Sequence, residues 1–176
     1  MKTFIMSLMI SLFACASNHH PPLETVESVD LNRYLGKWYE IARFEQRFQK
    51  GCTATTAEYS KNNDGTIKVV NRCRLNSPDG KLKEAIGKAR VVDKETNAKL
   101  KVQFFLRWLP LNFLAGDYWI IELGDDYEYA MVGAPNREYL WFLARTATID
   151  ETLYMELVQK AENHGFDTSK LLVTEH

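Results

Sequence analysis

Thiols are the most reactive side chains in this sequence, which contains three of them at Cys15, Cys52 and Cys73. The segments that carry Cys52 and Cys73 alternate like two strands, and the Asp-Gly turn between them is typical of a β-hairpin. If Glu58 faces Ile67, the two thiols fall opposite each other, within reach of a disulfide. A slip of one residue would place them on opposite faces. We therefore predict a Cys52–Cys73 disulfide, with two free buried thiols as the alternative.

The third thiol follows an apolar N-terminal segment. Residues 1–14 read as a secretory leader, because Lys2 precedes an apolar run that is too short to span a bilayer. The leader ends Leu-Phe-Ala directly before Cys15, which resembles the lipobox of bacterial lipoproteins. This resemblance implies that Cys15 is acylated and becomes a stable membrane anchor, and that Ala16 directs the protein to the outer membrane, facing the periplasm. Ordinary cleavage with an incidental Cys15 is the alternative.

Charge and motifs argue against several other function classes. The chain has 22 basic and 23 acidic residues, so no basic excess exists to bind a nucleic-acid backbone. It contains no nucleophile elbow, P-loop or metal-ligand spacing. The adjacent His19-His20 is typical of a solvated tether. We expect a protein that is no enzyme and that holds neither a metal nor a cofactor.

Short alternating segments recur along most of the chain. In one of them Leu100, Val102 and Phe104 share a face, while the intervening side chains are polar. Sequential strands with short turns predict an all-β, eight-stranded antiparallel up-and-down barrel. The eight segments span 37–44, 52–60, 66–74, 81–92, 98–106, 117–123, 129–134 and 139–145.

One amphipathic helix follows the strands and is expected to pack on the barrel. A capping box begins at Thr148, and Gly165 is the expected stop. Residues 171–174 could add a short strand. The polar residues 15–30 predict a tether between the acylated cysteine and a domain over 31–176.

Three segments carry a family resemblance. Residues 32–43 resemble the first lipocalin signature, whose core is Gly36-x-Trp38, and Asp126-Tyr127 resembles the second region. The sequence LWFLART, which contains Arg145, resembles the third. The resemblance covers about residues 31–173 and is strongest to bacterial outer-membrane lipoprotein lipocalins, with apolipoprotein D more distant. It implies a lipocalin barrel that binds fatty acids or lysophospholipids.

The order of the strands gives these residues positions. Trp38 begins the first strand and Arg145 ends the eighth, so both lie at one end of the barrel. There Trp38 can close the barrel beside Gly36, with the Arg145 guanidinium over the indole as a cation–π contact. We expect a structural role for these residues and no catalysis.

The opposite end is the mouth. A loop there contains the apolar residues Trp108, Leu111 and Phe113, which either fold over the mouth as a lid or face the membrane.

The inner face of the barrel is the predicted ligand site. It is expected to use Val102, Phe104, Tyr118 and Trp141, although the same residues could simply fill a core. We expect a membrane-anchored protein that stores or transports fatty acids or lysophospholipids for envelope maintenance. The alternatives are an envelope-stabilising lipoprotein without a soluble ligand and a lipocalin-fold isomerase. The sequence leaves open the lipid headgroup and whether the chain forms a homodimer.

Overall fold

The computed structural model describes residues 21–104 and 115–176. The strands are β1 Gly36–Phe44, β2 Cys52–Lys61, β3 Ile67–Leu75, β4 Leu82–Val91, β5 Lys99–Phe104, β6 Gly116–Leu123, β7 Tyr129–Gly133, β8 Leu140–Ala144 and β9 Leu171–Val173. The helices are α1 Leu31–Tyr34 and α2 Glu151–Asn163, with 3₁₀ helices at Arg47–Gln49 and Thr168–Lys170. No helix in these two ranges is long and apolar enough to cross a membrane.

The strands form the predicted closed barrel. Strands β2 to β8 pair antiparallel in sequence order, and β1 pairs with both β8 and β2. The pairing of β1 with β2 stops at Tyr39, and β9 then takes over the same edge of β1 from Ala42 to Phe44. The last strand therefore extends the wall where β1 and β2 separate near the mouth.

Apolar residues pack in two layers. One cluster lies inside the barrel and includes Trp38 and Ile120, each 0% exposed. The second lies between the outer wall and α2, where Phe142 and Leu157 are buried. Helix α2 thus covers part of the outer face, as the single amphipathic stripe predicted.

The sequence predicted the end of α2 correctly but placed its start two residues too early. Asp150 is the N-cap, because its carboxylate accepts a hydrogen bond from the Leu153 amide at 2.9 Å. The predicted capping box beginning at Thr148 is therefore wrong by two residues. The helix stops as expected before Gly165, whose φ of 84° suits glycine.

The Cys52–Cys73 disulfide is present, with a Cα–Cα distance of 5.4 Å. The hairpin register that led to it is wrong, because Glu58 faces Val70 and Cys52 faces Leu75. A bulge between β2 and β3 changes the register by one residue before the cysteines. The net error at Cys52 is two residues, an even number, so both thiols stay on the same face.

Residues 21–30, expected to be a tether, lie against the barrel. Leu23 is 5% exposed within the cluster under α2, and Val29 is 2% exposed at the interior cluster. We call residues 21–30 the N-terminal strap.

Candidate binding site

The strand register places all four predicted ligand residues on the inner face of the barrel. Val102 lies opposite Ala89, Tyr118 opposite Leu100, and Trp141 opposite Val132, all members of or neighbours to the interior cluster. Phe104 lies opposite Gly87, nearest the mouth.

The interior is open to solvent on the side of β4 and β5. Phe104 is 39% exposed although its register points it inward. Ala85, two residues before Gly87 on the same face, is also exposed. Phe104 forms the last pair between β4 and β5, and Ala85 lies beyond it, so the interior is open to solvent at the mouth end of this wall.

The other end is closed by aromatic rings. Trp38 is fully buried, donates its indole N–H to the Tyr34 carbonyl at 2.8 Å, and lies 4.9 Å from the Tyr34 ring. The Arg145 guanidinium lies 3.8 Å from the Trp38 ring centroid. Gly36 has a φ of 94°, and a Cβ there would lie 3.5 Å from an Arg145 nitrogen. These residues seal the barrel and leave the mouth as its entrance.

Three tyrosine hydroxyls meet above this closed end. The Tyr118 hydroxyl lies 2.7 Å from that of Tyr34 and 2.8 Å from that of Tyr59. Burial raises the pKa of Tyr59 to about 12 and raises the pKa values of Tyr34 and Tyr118 well above 10. The three hydroxyls therefore stay protonated at neutral pH and form a neutral polar floor.

A second polar group occupies the mouth half of the interior, on the wall of β1. The Arg43 guanidinium donates to the Glu40 carboxylate at 3.1 Å, and both residues are nearly fully buried. Gln49 donates to the other Glu40 oxygen at 2.7 Å and accepts from the Trp141 indole at 3.1 Å. Thr174 donates to Glu40 at 2.8 Å. This cluster ties the loop after β1 to the inner wall.

A bulge in β1 makes this cluster possible. Glu40 pairs with Leu143 and Arg43 pairs with Trp141, and an extra residue, Ile41, stands between them. Residues three apart would face opposite sides of a regular strand. The bulge turns both charged side chains inward, where they neutralise each other.

Three polar atoms on the inner face of β1, β2 and β3 have no hydrogen-bond partner in the described part of the chain. They are Arg43 Nε, Thr55 Oγ1 and Asn71 Oδ1. Thr55 is 5% exposed and, by alternation with the inward Ala57, faces the lumen. Buried polar atoms are normally paired, so these three atoms lack partners that a polar group would supply; each is closed to solvent, and such a group would reach them only by opening this part of the wall. We call Arg43, Thr55 and Asn71 the polar wall.

Other predicted site residues lie outside the described ranges. They are the lipidation residue Cys15 and the mouth-loop residues Trp108, Leu111 and Phe113. Among the described residues, no group of three or more His, Cys, Asp or Glu could hold a metal ion.

Sequence reasoning missed Glu40 and Arg43, and it named Tyr118 as an inner-face residue without its partners Tyr34 and Tyr59. The tyrosines come from three separate segments, so no local pattern brings them together. Glu40 and Arg43 closely follow the Gly-x-Trp segment in a mostly apolar strand. Charged residues in such a strand are the one local signal that could have indicated a buried pair.

Comparison with known proteins agrees with this architecture. A family model described as a lipocalin-like domain matches residues 29–176. The chain is 44% identical to temperature-induced lipocalin-1 of Arabidopsis thaliana, over 85% of this chain and 80% of that protein. It is 40% identical to the outer membrane lipoprotein Blc of Escherichia coli, over 90% of this chain and 86% of that protein.

A solved structure shows the same fold at low identity. Insecticyanin of Manduca sexta superposes with a TM-score of 0.67 at 18% identity, covering 90% of this chain and 86% of that one. With 40% identity to relatives over most of the chain and a family model that matches residues 29–176, this chain belongs to the lipocalin family.

Proposed function

We propose that this chain binds a single-chain lipid, either a fatty acid or a lysophospholipid, in the barrel lumen and stores or transports it for envelope maintenance. It does so at the outer membrane, a location supported by relatives named outer membrane lipoproteins. The leader pattern before Cys15 supports an acyl anchor at that residue. The chain acts as a binding protein and catalyses no reaction.

One observation carries the proposal: the lumen is amphipathic. Its β4–β5 side presents Ala85, Val102 and Phe104 to entering solvent. The adjoining side, formed by β1 to β3, presents the polar wall with its unpartnered atoms, and Asn71 of that wall pairs directly with Ala85. An acyl chain would cover the apolar side, at about 25 cal/mol for each Å² removed from water. The head of the same molecule would supply the missing hydrogen bonds.

The two alternatives are less well supported. A thiol-dependent isomerase would need a free cysteine, and Cys52 and Cys73 are joined to each other. A purely structural lipoprotein has no use for an accessible lumen or for unpaired polar atoms inside it.

Native mass spectrometry of the purified protein tests lipid binding, with lysophosphatidylethanolamine and palmitate added after delipidation. Ala85→Trp should fill the lumen and reduce binding at least tenfold. Ile86→Trp is the matched control, because Ile86 is the next residue and is 44% exposed on the outer face. It should leave affinity within about twofold. Equal affinities for the two variants would refute binding in the lumen.

A second pair of variants tests the polar wall. Thr55→Val removes the unpartnered hydroxyl and should weaken lipid binding about threefold to tenfold, as expected for one hydrogen bond. Thr56→Val, which changes an outward-facing neighbour paired with Tyr39, should have no effect. Unchanged affinity in both variants would show that the head of the lipid does not contact Thr55.

A further inference from the structure

The N-terminal strap starts at the mouth of the barrel. The carbonyl oxygen of Pro21 accepts a hydrogen bond from Arg137 at 2.7 Å. Arg137 lies in the turn between β7 and β8, one of the loops at the mouth. Its guanidinium also donates to the His164 carbonyl at 3.0 Å, which holds it against the end of α2.

From there the strap runs to the closed end. The Val26 amide donates to the Ile120 carbonyl at 3.1 Å, and the Val29 amide donates to the Thr96 carbonyl at 2.7 Å. Thr96 lies in the loop between β4 and β5 at the closed end, and Asp30 then caps α1. The strap is thus bonded to the barrel along its length, and its first residue is fixed beside the mouth.

The position of Pro21 limits where an anchor at Cys15 can lie. Six residues of chain lead from Cys15 to Pro21, and their full extension is about 20 Å. A nine-residue strand such as β1 rises about 30 Å along its axis, so with a strand tilt near 40° the barrel wall is about 23 Å tall before its loops are added. The tether is too short to bring the closed end to the membrane that holds the acyl chains.

The mouth carries exposed apolar and basic side chains. Phe48 is 53% exposed, Leu82 is 50% exposed and Phe104 is 39% exposed. Exposed basic residues stand among them at Arg47, Lys50, Lys81 and Lys83. Lys83 also donates to the Phe48 carbonyl at 2.8 Å, which links β4 to the loop after β1 across the rim.

Charge differs between the two ends of the barrel. The closed-end loops over 62–66, 92–98 and 124–128 contain six acidic residues and one basic residue. The described mouth loops over 45–51, 76–81 and 134–139 contain three acidic and four basic residues. A surface of anionic lipids attracts the mouth and repels the closed end.

We propose that the N-terminal strap and the basic, apolar mouth rim hold the open mouth of the barrel against an anionic phospholipid membrane surface, so that the lumen faces the bilayer. The strap sets the orientation, because it delivers the tether from Cys15 at the mouth. The rim supplies the contact, because Phe48 and Leu82 reach the headgroup region while Arg47 and Lys50 meet lipid phosphates. This orientation rests on the proposed acylation of Cys15.

Fluorescence quenching on vesicles measures the orientation. The full acylated chain is reconstituted in vesicles of phosphatidylethanolamine and phosphatidylglycerol that contain a lipid with a nitroxide headgroup. A fluorophore is attached through Ser77→Cys or Asn63→Cys, two exposed turn residues just beyond the opposite ends of β3. The label at position 77 should be quenched several-fold more than the label at position 63. Equal quenching, or the reverse order, would overturn the orientation.

Charge reversal tests the rim without the anchor. The Cys15→Ser chain should sediment with the same vesicles in a salt-sensitive manner. Reversal of both Arg47 and Lys50 to Glu should weaken this binding at least tenfold, since each basic residue near an anionic surface contributes about fivefold or more. Reversal of Lys61 and Lys94 to Glu at the closed end makes the same change in net charge and should matter less than twofold.

The outcomes separate this inference from the proposed function. An equal loss of vesicle binding in the two reversed pairs would overturn the rim contact. An unmodified Cys15 in the N-terminal peptide by mass spectrometry would overturn the anchored orientation. Lipid binding in the lumen, measured on the soluble Cys15→Ser chain, would stand or fall by its own experiment in either case.

Discussion

Replacement of Arg145 by Gln should lower the free energy of unfolding strongly, because this side chain holds the closed end of the barrel together. Its guanidinium lies 3.8 Å from the centroid of the Trp38 ring. It also donates hydrogen bonds of 2.6–3.3 Å to backbone carbonyls on both sides of the closure, those of Arg33, Tyr34, Leu35, Lys37 and Tyr127. One side chain therefore ties α1 and the start of β1 to the turn before β7.

The magnitude follows from these contacts. A hydrogen bond from a charged donor contributes about 1.5–3 kcal/mol, but the contributions are not additive, and water can replace part of them at a half-buried site. If two of the five bonds count in full, at the lower end of this range, and the cation–π contact adds about 1 kcal/mol, the loss is about 4 kcal/mol. That is a large part of the roughly 5–15 kcal/mol by which folded domains are stable.

Urea unfolding of the Cys15→Ser chain, followed by tryptophan fluorescence, measures this loss. Arg145→Lys keeps the charge without the planar fork and should cost about half as much. Arg33→Gln is the control at the same end, because Arg33 is 49% exposed. Its contacts are an ion pair with Asp126 at 3.8 Å, a hydrogen bond to the Asp125 carbonyl at 3.1 Å and the Tyr127 ring at 4.2 Å, all in reach of water. This substitution should cost less than about 1 kcal/mol. Losses for Arg145→Gln and Arg33→Gln that agree within about 1 kcal/mol would refute this account of the closure.

Three further outcomes are expected from the same unfolding assay. Reduction of the Cys52–Cys73 bond, which spans 21 residues, should lower the free energy of unfolding by about 3 kcal/mol; no change would mean that the bond does not constrain the unfolded chain. Because the pKa of Tyr59 is raised to about 12, the folded state holds its proton longer than the unfolded state, so stability should fall between about pH 10 and pH 12; Tyr59→Phe should reduce that slope by about 1.4 kcal/mol per pH unit. Gly87→Ala should destabilise by about 1–3 kcal/mol, since its Cβ would lie 2.7 Å from a backbone oxygen on β5. Gly116→Ala, where no described residue lies within 4 Å of the added Cβ, should not.

The sequence alone determined that the chain forms a barrel and which end of the barrel is closed. Alternation in segments such as Leu100 to Phe104 has a period of two, which only a strand satisfies, so the strands could be located nearly residue by residue. Antiparallel strands in sequence order then require the start of β1 and the end of β8 to share one end. This is why the order of the strands alone places Trp38 and Arg145 at the same end.

Only the tertiary structure shows the features that depend on strand bulges or on contacts between segments far apart in the sequence. The hairpin register was wrong by three residues at the turn, where Glu58 faces Val70, and the bulge at Ala54 reduces this error to two. Nothing in local composition marks where a strand gains a residue, so the bulge at Ile41 and the inward turn of Arg43 were missed. The strap has no periodic pattern of its own, because its hydrogen bonds go to Ile120, Thr96 and Arg137, all far along the chain. Local patterns report which face of a strand is buried, whereas contacts between distant segments exist only after the chain has folded.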